Sequence, residues 1–161
     1  MTIEMKIKGL MIDPVTNMPI IMLRDPDSEA VLPIWVGLYE ANAIALQLEN
    51  ISTPRPMTHD LLKNLLAQLH AKVEKIVITE LKENTFYALI HLDQEGKALT
   101  VDSRPSDAIA LALRAGAPIF VEEEVISRAK NVDMTKDAGD SDRLRQWLEK
   151  LDPDELGKYE M

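Results

Sequence analysis

Three separated segments of the chain carry side chains of the types that bind or hydrolyse phosphodiesters. Glu40 stands in the first, Arg55, His59 and Asp60 in the second, and Asp102, Arg104 and Asp107 in the third. If folding gathers Glu40, Asp102 and Asp107, their carboxylates offer the oxygen ligands that Mg²⁺ or Mn²⁺ prefers. Such an ion would polarise a phosphodiester and lower the pKa of a bound water. Arg55 or Arg104 would neutralise the charge that builds in the transition state. His59 would serve as general base, or as acid to the leaving group. A plainer account competes with this one. All three segments precede or open expected helices, whose free N–H groups and positive dipole end favour anions. Asp60 and Asp107 would then only stabilise first turns, worth about 0.3–1 kcal/mol each. Spacing alone does not choose between the two.

Other chemistries are excluded more firmly. The chain has no cysteine, which removes disulfides, thiolate metal sites and Cys nucleophiles and favours a reducing compartment. There is no Gly-rich phosphate loop, dinucleotide fingerprint, GxSxG elbow or HExxH pair. His59, His70 and His91 lack metal-ligand spacing,. His70 is expected at a helix end and His91 within a strand. The opening residues MTIEMKIKGL alternate charged with apolar side chains and do not read as a signal peptide,. No apolar run reaches the roughly 18 residues of a membrane span, so the expected location is the cytoplasm.

The formal charge is −9, and residues 122–161 carry 12 acids against 7 bases. Neither part of the chain supplies the positive field of a general nucleic-acid binder. Seven aromatic residues are also too few for a base-stacking platform,.

The elements that must position these side chains follow from periodicity and turn chemistry. Ile3, Met5 and Ile7 alternate with charged residues, as in a half-buried strand, and the parity slips at Gly9, which marks a β-bulge,. Strands follow at Met18–Arg24 and Ala30–Val36, joined through the turn Asp25-Pro26-Asp27-Ser28. Pro33 places the latter at an edge or bulge. Leu38 to Asn50 reads as a helix apolar nearly all round, and so buried on more than one side.

Thr58 is expected to cap the next helix, with Met57 stapled against Leu62 and an apolar face of Leu61, Leu62, Leu65, Leu66 and Leu69. A meander of Val73–Leu81, Phe86–Leu92 and Ala98–Asp102 comes next. Pro105 opens a helix over Ser106–Ala115, which Gly116 stops. A short strand at Ile119–Val121 and a brief helix at Glu124–Lys130 precede a polar linker, 131–140. An amphipathic helix from Ser141, with Leu144, Trp147, Leu148 and Leu151 on one face, closes the chain. Ala43-Ile44-Ala45-Leu46 recurs as Ala108-Ile109-Ala110-Leu111, a weak sign of internal repetition. The whole predicts an α+β domain over 1–130, a mixed and mainly antiparallel sheet with helices packed on it, and a C-terminal helical extension over 131–161.

Several strings together resemble the bifunctional nuclease domain family: Leu32-Pro33-Ile34-Trp35-Val36-Gly37 with Glu40-Ala41, Pro54-Arg55-Pro56-Met57-Thr58-His59-Asp60-Leu61-Leu62, Phe86-Tyr87-Ala88, and Asp102-Ser103-Arg104-Pro105-Ser106-Asp107-Ala108-Ile109-Ala110-Leu111-Ala112. They fall in order across residues 3–130. The resemblance implies an α+β fold and cleavage of RNA and DNA, the activity attributed to plant members. It carries the family's polar positions onto Glu40, Arg55, His59, Asp60, Asp102, Arg104, Ser106 and Asp107.

The expected machinery is therefore catalytic His59, Asp60, Asp102, Arg104 and Asp107, substrate-binding Arg55, Arg104 and Ser106, and an Mg²⁺ or Mn²⁺ ion held by Glu40, Asp102 and Asp107. The expected partners are single-stranded RNA or DNA and a second copy of the chain, with no membrane. A non-catalytic module that binds a protein or a small anion is the alternative, favoured by the acidity and by the capping role open to each carboxylate. A family label does not by itself establish chemistry.

Overall fold

The computed structural model describes residues 1–135. Seven strands form one sheet: β1 (Thr2–Ile12), β2 (Pro19–Arg24), β3 (Val31–Trp35), β4 (Ala71–Lys82), β5 (Thr85–Gln94), β6 (Lys97–Ser103) and β7 (Ile119–Glu122), in the order β3-β2-β1-β7-β4-β5-β6. The helices are α1 (Leu38–Leu48), α2 (Thr58–Gln68), α3 (Pro105–Ala115) and α4 (Glu123–Thr135). All pairings are antiparallel except β4 with β7, so the α+β, mainly antiparallel architecture is as expected.

Two three-stranded meanders, β1-β2-β3 and β4-β5-β6, each lead into a helix, and β7 joins them at the centre. The Ala-Ile-Ala-Leu echo thus falls on topologically equivalent helices, α1 and α3.

Local sequence explains the joints. The pairing of β1 with β2 shifts register between Ile7 and Gly9, the expected bulge,. Thr2–Met5 pair with β7, whereas Lys6–Ile12 pair with β2, so one strand serves both halves. Pro33 lies in β3, at an edge of the sheet, where a missing ladder donor costs least,. Glu83 and Asn84 both take positive φ in the two-residue turn between β4 and β5, as do Glu95 and Gly96 between β5 and β6,. Gly116 takes φ 68° and ends α3 in the left-handed conformation,. His70 does the same after α2 with φ 57°, a position that glycine occupies without steric cost,. The core lies between the sheet and α1 and α3, built on Ile21, Leu23, Ile44, Ile76, Ile78, Ala88, Ile109 and Val121.

Several expectations need correction. α1 is not buried all round: Ala41, Ala43 and Ile44 face the core, but Leu38, Tyr39 and Leu48 are exposed. Its short residues let α3 approach on one side only. The leucine face of α2, expected only as apolar, is largely open. Leu61, Leu62, Leu65 and Leu69 are exposed, only Leu66 packs partly on the core, and His59 is the sole buried residue of the helix. Met57, not Thr58, occupies the N-cap, because Asp60 Oδ2 accepts the Met57 backbone N–H at 2.9 Å. α4 continues through Thr135, into the segment read as a linker. The expected helix from Ser141 lies outside the described residues.

Candidate active site

The helix starts converge as the chemistry required, but around a different cation. α3 begins where Arg104 holds extended angles, φ −68° and ψ 144°, followed by Pro105 at the first helical position,. That turn sends Arg104 and Asp107 back over the helix start. Arg104 Nε and Nη2 donate to Asp107 Oδ2 at 2.9 and 2.8 Å, and Nη2 also reaches Glu40 Oε1 of α1 at 2.8 Å. The other oxygen, Asp107 Oδ1, lies 2.9 Å from His59 Nε2 of α2. One carboxylate therefore joins the first turns of two helices, and one guanidinium ties in the third. Asp107 first, then Glu40, hold the Arg104 guanidinium still more firmly in its charged form,.

Gly37 makes room for this arrangement. A Cβ there would collide with the Glu40 carboxylate that folds back over the start of α1.

His59 is 7% exposed. A carboxylate only accepts hydrogen bonds, so Asp107 fixes the proton of a neutral His59 on Nε2 and leaves the Nδ1 lone pair free. Among the described residues no buried side-chain nitrogen or oxygen lacks a partner, and none is bonded to Nδ1. The geometry is that of an imidazole oriented by a carboxylate,.

Beside this cluster lies a second. Arg114, near the end of α3, donates from Nε to Asp60 Oδ1 at 2.7 Å, from Nη1 to the Ala110 carbonyl at 2.8 Å and from Nη2 to the Ala43 carbonyl at 2.9 Å. The Met57 backbone N–H, with help from Arg114, lowers the Asp60 pKa against a smaller opposing effect of burial,. Asp60 and Arg114 also line a hollow of about 290 Å³ walled by Gln47, Ile51, Ser52, Thr53, Pro54 and Pro56.

The expected residues are thus only partly united. Glu40, His59, Arg104 and Asp107 form one connected cluster. Asp60 is engaged with the backbone of Met57 and with Arg114. Ser106 is buried beneath the first turn of α3, while Arg55 is exposed on the loop before α2.

Asp102 stands apart. It pairs with Leu89 in the sheet, whereas Ala88, Ile90 and Leu92 on the alternate positions of β5 face the helices. Strand alternation therefore turns Asp102 to the opposite face of the sheet. Among the described residues no three His, Asp or Glu side chains gather as a metal site. Glu40 and Asp107 are bridged by Arg104, and Asp102 does not join them, so the three expected ligands do not gather at one point.

Sequence reasoning missed Arg114. Its signal was a lone charge in the otherwise apolar run Ala108–Ala115, four residues after Ala110 on a buried helix, a setting that demands satisfied donors.

Known proteins are similar to this chain. Residues 21–133 match the bifunctional nuclease domain. An uncharacterized protein of Mycobacterium tuberculosis is 42% identical over 126 residues, 78% of this chain and 75% of that protein. Bifunctional nuclease 1 of Oryza sativa subsp. japonica is 28% identical over 116 residues, 70% of this chain but 35% of the plant protein. Bifunctional nuclease 1 of Arabidopsis thaliana is 28% identical over 109 residues, 65% of this chain and 34% of its own length. Among the described residues no helix is long and apolar enough to cross a membrane. With the family model matching residues 21–133 and a relative 42% identical over most of both chains, this chain belongs to the bifunctional nuclease domain family.

Proposed function

We propose that the protein hydrolyses phosphodiester bonds in single-stranded RNA and DNA, with His59 as general base and Asp107 as its orienting acid. The His59–Asp107 contact, which leaves Nδ1 without a partner among the described residues, carries this reading. A water held at Nδ1 loses its proton to that nitrogen as its oxygen attacks phosphorus. The P–O bond to the leaving group breaks, and the His59 imidazolium returns the proton to the departing oxygen.

Arg104 has five N–H donors, of which the two on Nη1 remain uncommitted among the described residues, and its side chain is 65% exposed,. Those two donors face the charge that develops on the phosphoryl oxygens. With His59 neutral, Glu40, Arg104 and Asp107 sum to −1, so substrate capture needs a further cation. Arg55, exposed on the adjoining loop, fits that need. The hollow beside Asp60 is walled by prolines and by Ser52 and Thr53, and it accommodates an unstacked base more readily than a duplex,.

The test is cleavage of labelled single-stranded RNA and DNA with Mg²⁺, Mn²⁺ or a chelator. His59→Gln and Asp107→Asn are each expected to cut turnover by about 10²–10⁴. Turnover unchanged in both would refute the assignment.

A second reading rests on the closure of Glu40 and Asp107 by Arg104: a non-catalytic module that holds a protein or an anion at its helix starts. It requires that the wild-type chain cleave neither polymer under any of these metal conditions. Self-association also belongs among the proposals. The exposed leucines of α2 offer a second copy an apolar face, and light scattering across concentrations reads the outcome,.

A further inference from the structure

We propose that Arg114 is a positioning residue that holds His59 in register with Asp107; the inference rests on the hydrolytic role given to His59. α2 has little else to seat it. His59 is its one buried residue, its exposed leucines face away from the core, and Leu66 alone packs partly against it. A helix with so few buried apolar contacts opens locally at low cost. Among the described residues its polar ties to α3 are two, His59 to Asp107 and Asp60 to Arg114, both in its first turn, while the Gln94 side-chain amide donates to the Leu69 carbonyl at its far end.

The second tie is the anchored one. The Arg114 side chain is 4% exposed, and its guanidinium is fixed at the same time by the carbonyls of Ala110 in α3 and Ala43 in α1. Asp60 follows His59 directly, and its second oxygen grips the N-cap amide of α2. The guanidinium thus locks the first turn of α2 to both neighbouring helices, one residue from the base. Catalytic geometry tolerates little drift, since a displacement of about 1 Å can cost roughly 10²-fold in rate.

Arg114→Lys and Asp60→Asn, each in the full chain, test the proposal. The lysine keeps the charge but cannot span three acceptors; the asparagine keeps the shape but loses the ionic tie. Four quantities are measured: the His59 ring ¹⁵N and Nε2–H resonances, amide hydrogen exchange in α2 relative to α3, the global unfolding midpoint, and kcat and KM on single-stranded RNA.

The Nε2–H signal is expected to lose its hydrogen-bonded shift in both variants. Exchange in the first turn of α2 is expected to rise about tenfold or more beyond any global change. kcat should fall by roughly 10²-fold, with KM much less affected. Ring resonances and α2 exchange that stay as in the wild type, while only the midpoint drops, would reduce Arg114 to a structural residue and overturn the proposal. Should Arg114→Lys fail to fold, Asp60→Asn decides by the same readouts.

The ring signals need no turnover, which keeps the two ideas separable. A wild-type chain that cleaves nothing but whose variants lose the Nε2–H signal refutes hydrolysis and sustains the positioning role. A chain that cleaves normally in variants with an unmoved ring does the reverse.

Discussion

The start of α3 and its end each hold an arginine against a carboxylate of a neighbouring helix, yet the two pairs differ in kind. Arg104 is 65% exposed and shares its charge between Glu40 and Asp107, while Arg114 is 4% exposed and spends its donors on Asp60 and two carbonyls. In water, an ion pair gains little beyond its cost in side-chain entropy and is screened by salt. Away from water, the same pair becomes expensive to break, because the surviving partner is stranded. The open cluster is therefore free to exchange partners with an incoming anion, and the sealed one is not. The proposed hydrolysis draws on the first cluster and the proposed positioning on the second.

Removing the sealed charge should have the largest effect on stability. Arg114→Met strands Asp60 and two carbonyls, and is expected to cost about 3 kcal/mol in urea unfolding, the low end for a broken buried pair because Asp60 keeps some solvent. A loss below 1 kcal/mol would erase the distinction between the clusters.

Asp60 sharpens the same contrast through pH. Its pKa in the folded protein lies below the unfolded value, so the stability it adds is present above about pH 4 and is lost as pH falls through the folded value,. Asp60→Asn should be less stable than wild type at pH 7 and lose less as the medium is acidified below pH 4. Parallel acid limbs for the two proteins would contradict this.

At the open end, Arg104→Ala is expected to change stability by only about 0–1 kcal/mol while raising KM for a polynucleotide. A large loss of stability would make that end structural too. The smallest effect is foreseen for Asp102→Ala, because the residue faces away from the cluster: turnover and midpoint both as in the wild type.

Much of this was legible in the chain. Gly9, Pro33, Gly116 and the Pro105 helix start each impose a local backbone requirement, and local requirements are written in local sequence. The convergence of Glu40, His59, Arg104 and Asp107 was legible as residue types and helix starts, but not as contacts, since which oxygen meets which nitrogen depends on packing between distant elements. Asp102 was misplaced because a strand alternates faces at every residue, and one position decides which side of the sheet a carboxylate serves. The exposure of the α2 leucines was not legible for a related reason. An apolar stripe reports that a helix has a hydrophobic face, not what covers it. Arg114 was overlooked because near a helix C-terminus a cation already has a plain electrostatic explanation.

The central place of β7 bears on how the protein is made. The first meander and the second do not touch in the sheet; each meets the other through this four-residue strand, whose final residue is Glu122. During synthesis, Lys6–Ile12 of β1 can pair with β2 at once, whereas Thr2–Met5 await a partner that leaves the ribosome more than a hundred residues later. α1, bearing Glu40, and α3, bearing Arg104 and Asp107, sit on opposite sides of that seam. Glu40 can therefore meet Arg104 and Asp107 only after the second meander and the start of α3 have been made.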